Sequence, residues 1–126
     1  MKKIVSTQNA PAAIGPYSQA TVHGSTLYIS GQLPINPATG ELVTGDISAQ
    51  THQVMQNLAA IVAAAGSSME NVLKATILLT DLAHFTAVNE AYATYFPSDP
   101  PARICYQVVA LPKGAARSFH KNNQAK

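Results

Sequence analysis

Charge is scarce in this chain. Only 11% of its 126 residues are charged, and the formal net charge is +2. No cluster of lysine and arginine and no stripe of basic and aromatic residues is present, which argues against a nucleic-acid surface. The single cysteine, Cys105, excludes an intrachain disulfide framework and suits a reducing compartment. No apolar run approaches the roughly 20 residues needed to cross a bilayer. Met1-Lys2-Lys3 starts like a signal sequence, but polar Ser6-Thr7-Gln8-Asn9 follows where an apolar segment would be needed. A cytoplasmic protein without a membrane partner is the expectation. GxGxxG, P-loop and CxxC motifs are missing, and His23, His52, His84 and His120 are scattered rather than set at metal-ligand spacing.

What is present reads as one domain, long enough to bury a real core. A surface so poor in charge suggests that identical subunits cover part of it. Helical periodicity places Ile47, Val54, Leu58, Ile61, Val62 and Ala65 on one face, with Asp46 as N-cap and Gly66 as the stop. A second helix carries Phe85, Val88, Tyr92, Tyr95 and Phe96, is capped by Asp81 or Thr80, and ends at Pro97. Strands are expected at Ile4–Ser6, Ala20–Val22, Thr26–Ser30, Val72–Thr80 and Arg103–Leu111, with a hairpin turn at His23-Gly24-Ser25 and a loop over Leu33–Gly40. The order β-β-β-α-β-α-β implies an α+β fold: a mixed sheet with two helices on one face. Its two successive β-α-β steps suggest a weak internal duplication.

Arg103 is one of two arginines, and it stands at the head of a strand. Its planar fork of donors matches a carboxylate or phosphate, and burial without such a partner is costly. No Asp or Glu follows Asp99, so an acidic partner must come from far away in sequence, from another subunit, or from a ligand. An arginine with a packed stem and a solvated head is the plain alternative. Cys105, two residues on, shares Arg103's face of a regular strand. That placement allows either an activated thiol or a small buried hydrophobe. Gly31, at the end of a strand, can offer its backbone N–H to a ligand; Ser30 adds a hydroxyl and Tyr17 a phenol. Turn and core roles explain those three residues equally well. Asn89 follows core Val88, which by spacing alone puts it on the helix surface.

Together these segments resemble one family. Asn9 to Gln19 (NAPAAIGPYSQ), Leu27 to Gln32 (LYISGQ), Pro37 to Glu41 (PATGE) and Ala63 to Ser67 (AAAGS) are similar to the Rid, or YjgF-type, reactive intermediate deaminases. So are Val88 to Tyr92 (VNEAY), Pro101-Ala102-Arg103 and Ala110 to Gly114 (ALPKG), in the same order and spacing over roughly residues 4 to 114. The resemblance implies a chorismate-mutase-like homotrimer with ligand clefts between adjacent subunits. It implies hydrolysis of 2-enamine/2-imino acids to 2-oxo acids and ammonia, with no metal or organic cofactor. Arg103 would then clamp the substrate carboxylate, with Gly31 donating its N–H to the same group. The Cys105 carbonyl would help place the attacking water, and Tyr17, Ser30 and Asn89 would line the pocket. A non-catalytic module binding or sensing small 2-imino or 2-oxo acids is the alternative. An RNA-acting translation inhibitor is a third, disfavoured by the charge.

The resemblance stops at the end of the chain. Residues 1–114 read as the Rid-type domain and 115–126 as an atypical polar tail, with Phe119 its only large apolar residue. Family members continue with a Val-Glu-Ile-Glu strand whose first Glu helps hold the hydrolytic water. That position falls on Ser118 and the second Glu on His120. The change looks like a shifted reading frame or a replaced tail. By composition the tail is not a sheet strand, yet backbone pairing does not depend on side chains, so a short strand near Ala116 to Phe119 is expected.

Overall fold

The computed structural model describes residues 1–115 with their side chains and the backbone of 117–125. Strands β1 (Lys3–Val5), β2 (Ala20–His23) and β3 (Thr26–Gln32) form an antiparallel meander. Gly24 makes the tight β2–β3 turn at a φ of 61°, a conformation glycine adopts without strain. A small hairpin of two-residue strands, β4 (Ile35–Asn36) and β5 (Glu41–Leu42), begins within the expected Leu33–Gly40 loop and ends just beyond it. Helix α1 (Ile47–Ala64), β6 (Lys74–Leu79), helix α2 (Phe85–Ala93), β7 (Ala102–Gln107) and β8 (Arg117–Ala125) follow. The main sheet runs β1-β2-β3-β8-β6-β7, with β6 and β7 parallel and its other pairs antiparallel. The fold is a mixed α+β one with two helices.

Local chemistry explains the helices. Asp46 caps α1 by accepting a hydrogen bond from the Ala49 N–H at 2.7 Å, and Gly66, at a φ of 81°, follows its end. Asp81 caps a 3-10 turn at Leu82–His84, accepting from the Ala83 N–H, and α2 begins directly after it. Tyr95 and Phe96 lie beyond α2 in turns bonded to Tyr92 and Ala93, which ends the helix before Pro97.

Alternation decides which sheet face is covered. Leu27 and Ile29 of β3 and Ala75, Ile77 and Leu79 of β6 are buried, in one cluster with Val54, Leu58, Ile61 and Val62 of α1 and Val88 and Tyr92 of α2. Each large aliphatic side chain so buried contributes roughly 1.5–3 kcal/mol. Buried Asn57 of α1 donates to the Leu33 and Ile35 carbonyls at 3.2 and 2.9 Å, which ties the helix to the β3–β4 connection. None of the helices described is long and apolar enough to cross a membrane.

Two expectations change. The seventh strand stops at Gln107 instead of Leu111, because its partner β6 ends at Leu79; Val108 makes one last bond to the Leu79 carbonyl at 2.8 Å, and Val109 is fully exposed. The polar tail is a nine-residue strand inside the sheet, longer than the short one expected, although Ala116 lies outside the described residues. The two β-α-β steps are also topologically unlike: α2 connects the neighbours β6 and β7, whereas β8 lies between β3 and β6.

Because β8 lies between β3 and β6 in the sheet, a chain ended after Ala115 loses both ladders. Thermal unfolding of that truncated chain is expected to lose its cooperative transition and its near-ultraviolet circular dichroism. An unchanged melting curve would contradict this role for β8.

Candidate functional site

Arg103 enters the sheet opposite Ala75 at the start of β7. Among the described residues this is an edge strand of the sheet, and Arg103 is exposed. Helix α2 holds the guanidinium. Its Nη1 donates to Asn89 Oδ1 at 2.6 Å, and its Cζ lies 5.5 Å from the Phe85 ring centre and 5.1 Å from that of Tyr92. Phe85, Asn89 and Tyr92 are spaced i, i+4 and i+7, which puts them on one stripe of the helix. Each cation–π contact is worth ~0.5–1 kcal/mol at an exposed site. Among the described residues no carboxylate pairs with Arg103, and its remaining N–H donors are left for an anion. A cavity of about 370 Å³ adjoins it, lined by Tyr92, Ala93, Phe96, Pro100 and Pro101 as well as by Asn89.

Burial raises the Tyr92 phenol to about 12, with Arg103 pulling the other way, so the ring stays neutral beside the cation at ordinary pH. Cys105 shares Arg103's face, as period-2 alternation requires, with Ile77 as its partner on β6. Burial pushes its thiol up more strongly than Arg103 lowers it. That direction favours the packed hydrophobe over the activated thiol at half-buried Cys105.

Tyr17 and Gly31 meet elsewhere. They line a second cavity of about 190 Å³ together with Ile14, Gln19 and Lys113. Buried Gln19 shapes the loop that carries Tyr17. It accepts from the Thr7 N–H at 2.7 Å and donates to the Thr7, Ala10 and Pro11 carbonyls. The Tyr17 hydroxyl accepts from the Ile14 N–H at 3.4 Å. Ser30 is engaged structurally, with its hydroxyl donating to the Ser18 carbonyl at 2.6 Å and its N–H to the Gln19 carbonyl at 3.0 Å. Gly31 falls where the β3–β8 register shifts, between Ile29↔Lys121 and Gln32↔Phe119, so β3 carries an extra residue there.

The expected site residues therefore form two groups within one chain: Arg103, Asn89 and Cys105 on β7 and α2, and Tyr17, Ser30 and Gly31 around the end of β3. Two strands, β8 and β6, separate β3 from β7. At about 4.8 Å per strand step, the two groups stand on the order of 14 Å apart across the sheet. Sequence reasoning missed Phe85 and Tyr92 as holders of Arg103, having placed both on the core face; their i and i+7 spacing around Asn89 was the available signal. It placed Lys113 only within the Ala110–Gly114 segment and gave it no site role. Ser118 pairs in register with Leu78, and its side chain lies outside the described residues. Among the described residues no group of three or more His, Cys, Asp or Glu is arranged to hold a metal.

The α+β fold presents an arginine oriented by helix α2 at a sheet edge. The chain belongs to the endoribonuclease L-PSP family, also called YjgF or Rid, whose model matches residues 7–116. It is 53% identical over 114 residues to the 2-iminobutanoate/2-iminopropanoate deaminase of Bos taurus, covering 90% of this chain and 83% of that one. The crystal structure of a Rid-family protein from Yersinia pestis superimposes with a TM-score of 0.96 at 44% identity, covering 99% of this chain and all of the other. That of E. coli TdcF with bound serine gives 0.93 at 39% identity, with 98% and 99% covered.

Alkylation by iodoacetamide tests the thiol. At pH 7 Cys105 is expected to react more slowly than free cysteine, and Arg103→Ala to slow it further by removing the one opposing influence. Fast alkylation at neutral pH would contradict the assignment.

Proposed function

We propose that this chain hydrolyses reactive 2-enamine and 2-imino acids to 2-oxo acids and ammonia. The observation that carries the reading is Arg103, held by Asn89, Phe85 and Tyr92 beside an open cavity with no acidic partner among the described residues. The name of the bovine relative supports the reaction, and the serine bound to TdcF supports a small amino-acid-derived ligand.

Arg103 clamps the substrate carboxylate with the donors that Asn89 leaves free, and Gly31 adds its backbone N–H. Asn89 uses its carbonyl oxygen on Arg103, so its amide N–H₂ remains to face the ligand. Tyr17 and Ser30 complete the wall. Water, positioned by the Cys105 carbonyl, attacks the imine carbon. The C=N electron pair moves to nitrogen, and proton transfer from the added water releases ammonia and leaves the 2-oxo acid. An imine is already electrophilic, so orientation supplies much of what the reaction needs and no cofactor is called for. Ser118, at the position of the family's glutamate, can hydrogen-bond the water but cannot take its proton near neutral pH.

One chain does not close this site, because Arg103 and Gly31 stand on strands separated by two others. A second copy supplies the missing half in the proposed assembly, a chorismate-mutase-like homotrimer in the cytoplasm. Exposed Ile104 and Tyr106 on edge strand β7 and Tyr28 on β3 support such packing of identical chains. The family's description names an endoribonuclease. The net charge of +2 and the lack of a basic stripe favour the small acid over RNA.

Release of ammonia and 2-oxo acid from freshly generated iminopropionate or iminobutyrate tests the proposal. Arg103→Ala should lower kcat/KM at least about 100-fold, the value of two charge-assisted hydrogen bonds at ~1.5 kcal/mol each. Ser118→Glu should raise a weak starting rate, by up to the roughly 10²–10⁴-fold that a positioned general base supplies. Full activity in Arg103→Ala would defeat the assignment. Carboxylate binding without turnover, even with Ser118→Glu, would point to the binding module instead.

A further inference from the structure

The cavity beside Arg103 is built for more than a carboxylate. Tyr92 and Phe96 are buried, and their rings pack at 4.9 Å between centres, inclined by 47°. They meet at the end of α2, where Ala93 presents only a methyl group. Asp99 then takes a φ of 49°, in the left-handed region that Asp tolerates better than most residues, and turns the chain into Pro100-Pro101. Two consecutive prolines offer no backbone N–H and little conformational freedom, so the opposite wall is apolar and stiff. At one end the space meets the guanidinium and the Asn89 amide. Elsewhere it meets rings, a methyl group and pyrrolidines. At about 370 Å³ it exceeds what a pyruvate-sized acid fills, since a water occupies only about 30 Å³ of liquid.

We infer that this cavity is a side-chain subsite that selects 2-imino and 2-oxo acids with branched or extended apolar side chains over those with a methyl group. The inference rests on the proposed role of Arg103 as carboxylate clamp. With the carboxylate on Arg103, the ligand's side chain enters the slot between Phe96 and the two prolines. Each methylene taken out of water there favours binding about fourfold. The polar requirement of the site is met at one end only, which suits an acid whose remaining atoms are hydrocarbon. A second carboxylate reaching Ala93, Phe96 and the two prolines would meet no side-chain donor there, so dicarboxylic acids gain nothing from the slot.

Calorimetric titration of the full chain with pyruvate, 2-oxobutanoate, 4-methyl-2-oxopentanoate and 2-oxoglutarate tests the slot without requiring turnover. The expected affinity rises from pyruvate to 4-methyl-2-oxopentanoate by at least about tenfold, with 2-oxoglutarate no better than pyruvate. Ala93→Phe, at an exposed position at the end of α2, fills the slot. It is expected to bring the ratio of 4-methyl-2-oxopentanoate to pyruvate affinity within about threefold of one. Equal affinities in the unaltered chain, a preference that survives Ala93→Phe, or no binding of any of these acids would overturn the inference. The expected order of binding without ammonia release from the corresponding imino acids would support the slot while refuting the deaminase reading.

Discussion

Backbone pairing along Arg117–Ala125 is the constraint on which the rest of the structure depends. The sheet consists of two pieces, the β1-β2-β3 meander and the parallel β6–β7 pair, and β8 joins them through an antiparallel ladder on each side. Helix α1 neighbours both β3 and β8, and its buried residues Val54, Leu58 and Ile61 share one core with Leu27 and Ile29 of β3 and Ile77 and Leu79 of β6. An interior strand satisfies its N–H and C=O groups through the main chain, and without it two internal edges would open. A polar sequence can fill this role because the ladder asks nothing of the side chains.

The same topology positions the chemistry. Placing β8 and β6 between β3 and β7 leaves Gly31 and Arg103 too far apart to share a small ligand within one chain. It also puts Arg103 on an edge strand, where its guanidinium reaches past the sheet yet stays fixed by the Phe85-Asn89-Tyr92 stripe of α2. An arginine free in solvent would lose side-chain entropy on gripping a carboxylate, and the stripe reduces that loss before the ligand arrives. In the proposed function this preorganisation and the neighbouring apolar slot divide the work. The cation binds what all 2-imino acids share, and the slot reads what distinguishes them.

Much of the fold was legible in the sequence. Period-3.6 spacing and the Asp46 and Gly66 signals located α1, and period-2 alternation put Arg103 and Cys105 on one face. The tail was misjudged as to length because composition reports on side-chain burial, whereas Arg117–Ala125 pairs through its backbone. The end of β7 was overestimated because apolar residues such as Val108 and Val109 extend past the point where β6 stops. Asn89 reads as helix surface when counted from Val88; counted from Phe85 and Tyr92, it faces the arginine. The separation of Arg103 from Tyr17 and Gly31 depends on strand order, which local patterning does not encode.

The central functional claim is that Arg103 from one copy and Tyr17 with Gly31 from another form a single site. Subunit mixing tests it most directly. Arg103→Ala and Tyr17→Ala chains, each inactive or nearly so alone, are combined, dissociated and reassembled, and imine hydrolysis is measured. If the halves come from neighbouring copies, random reassembly rebuilds about a quarter of the sites in a closed ring, and activity returns toward that fraction of the unaltered level. A mixture no more active than its separate components would contradict the shared site.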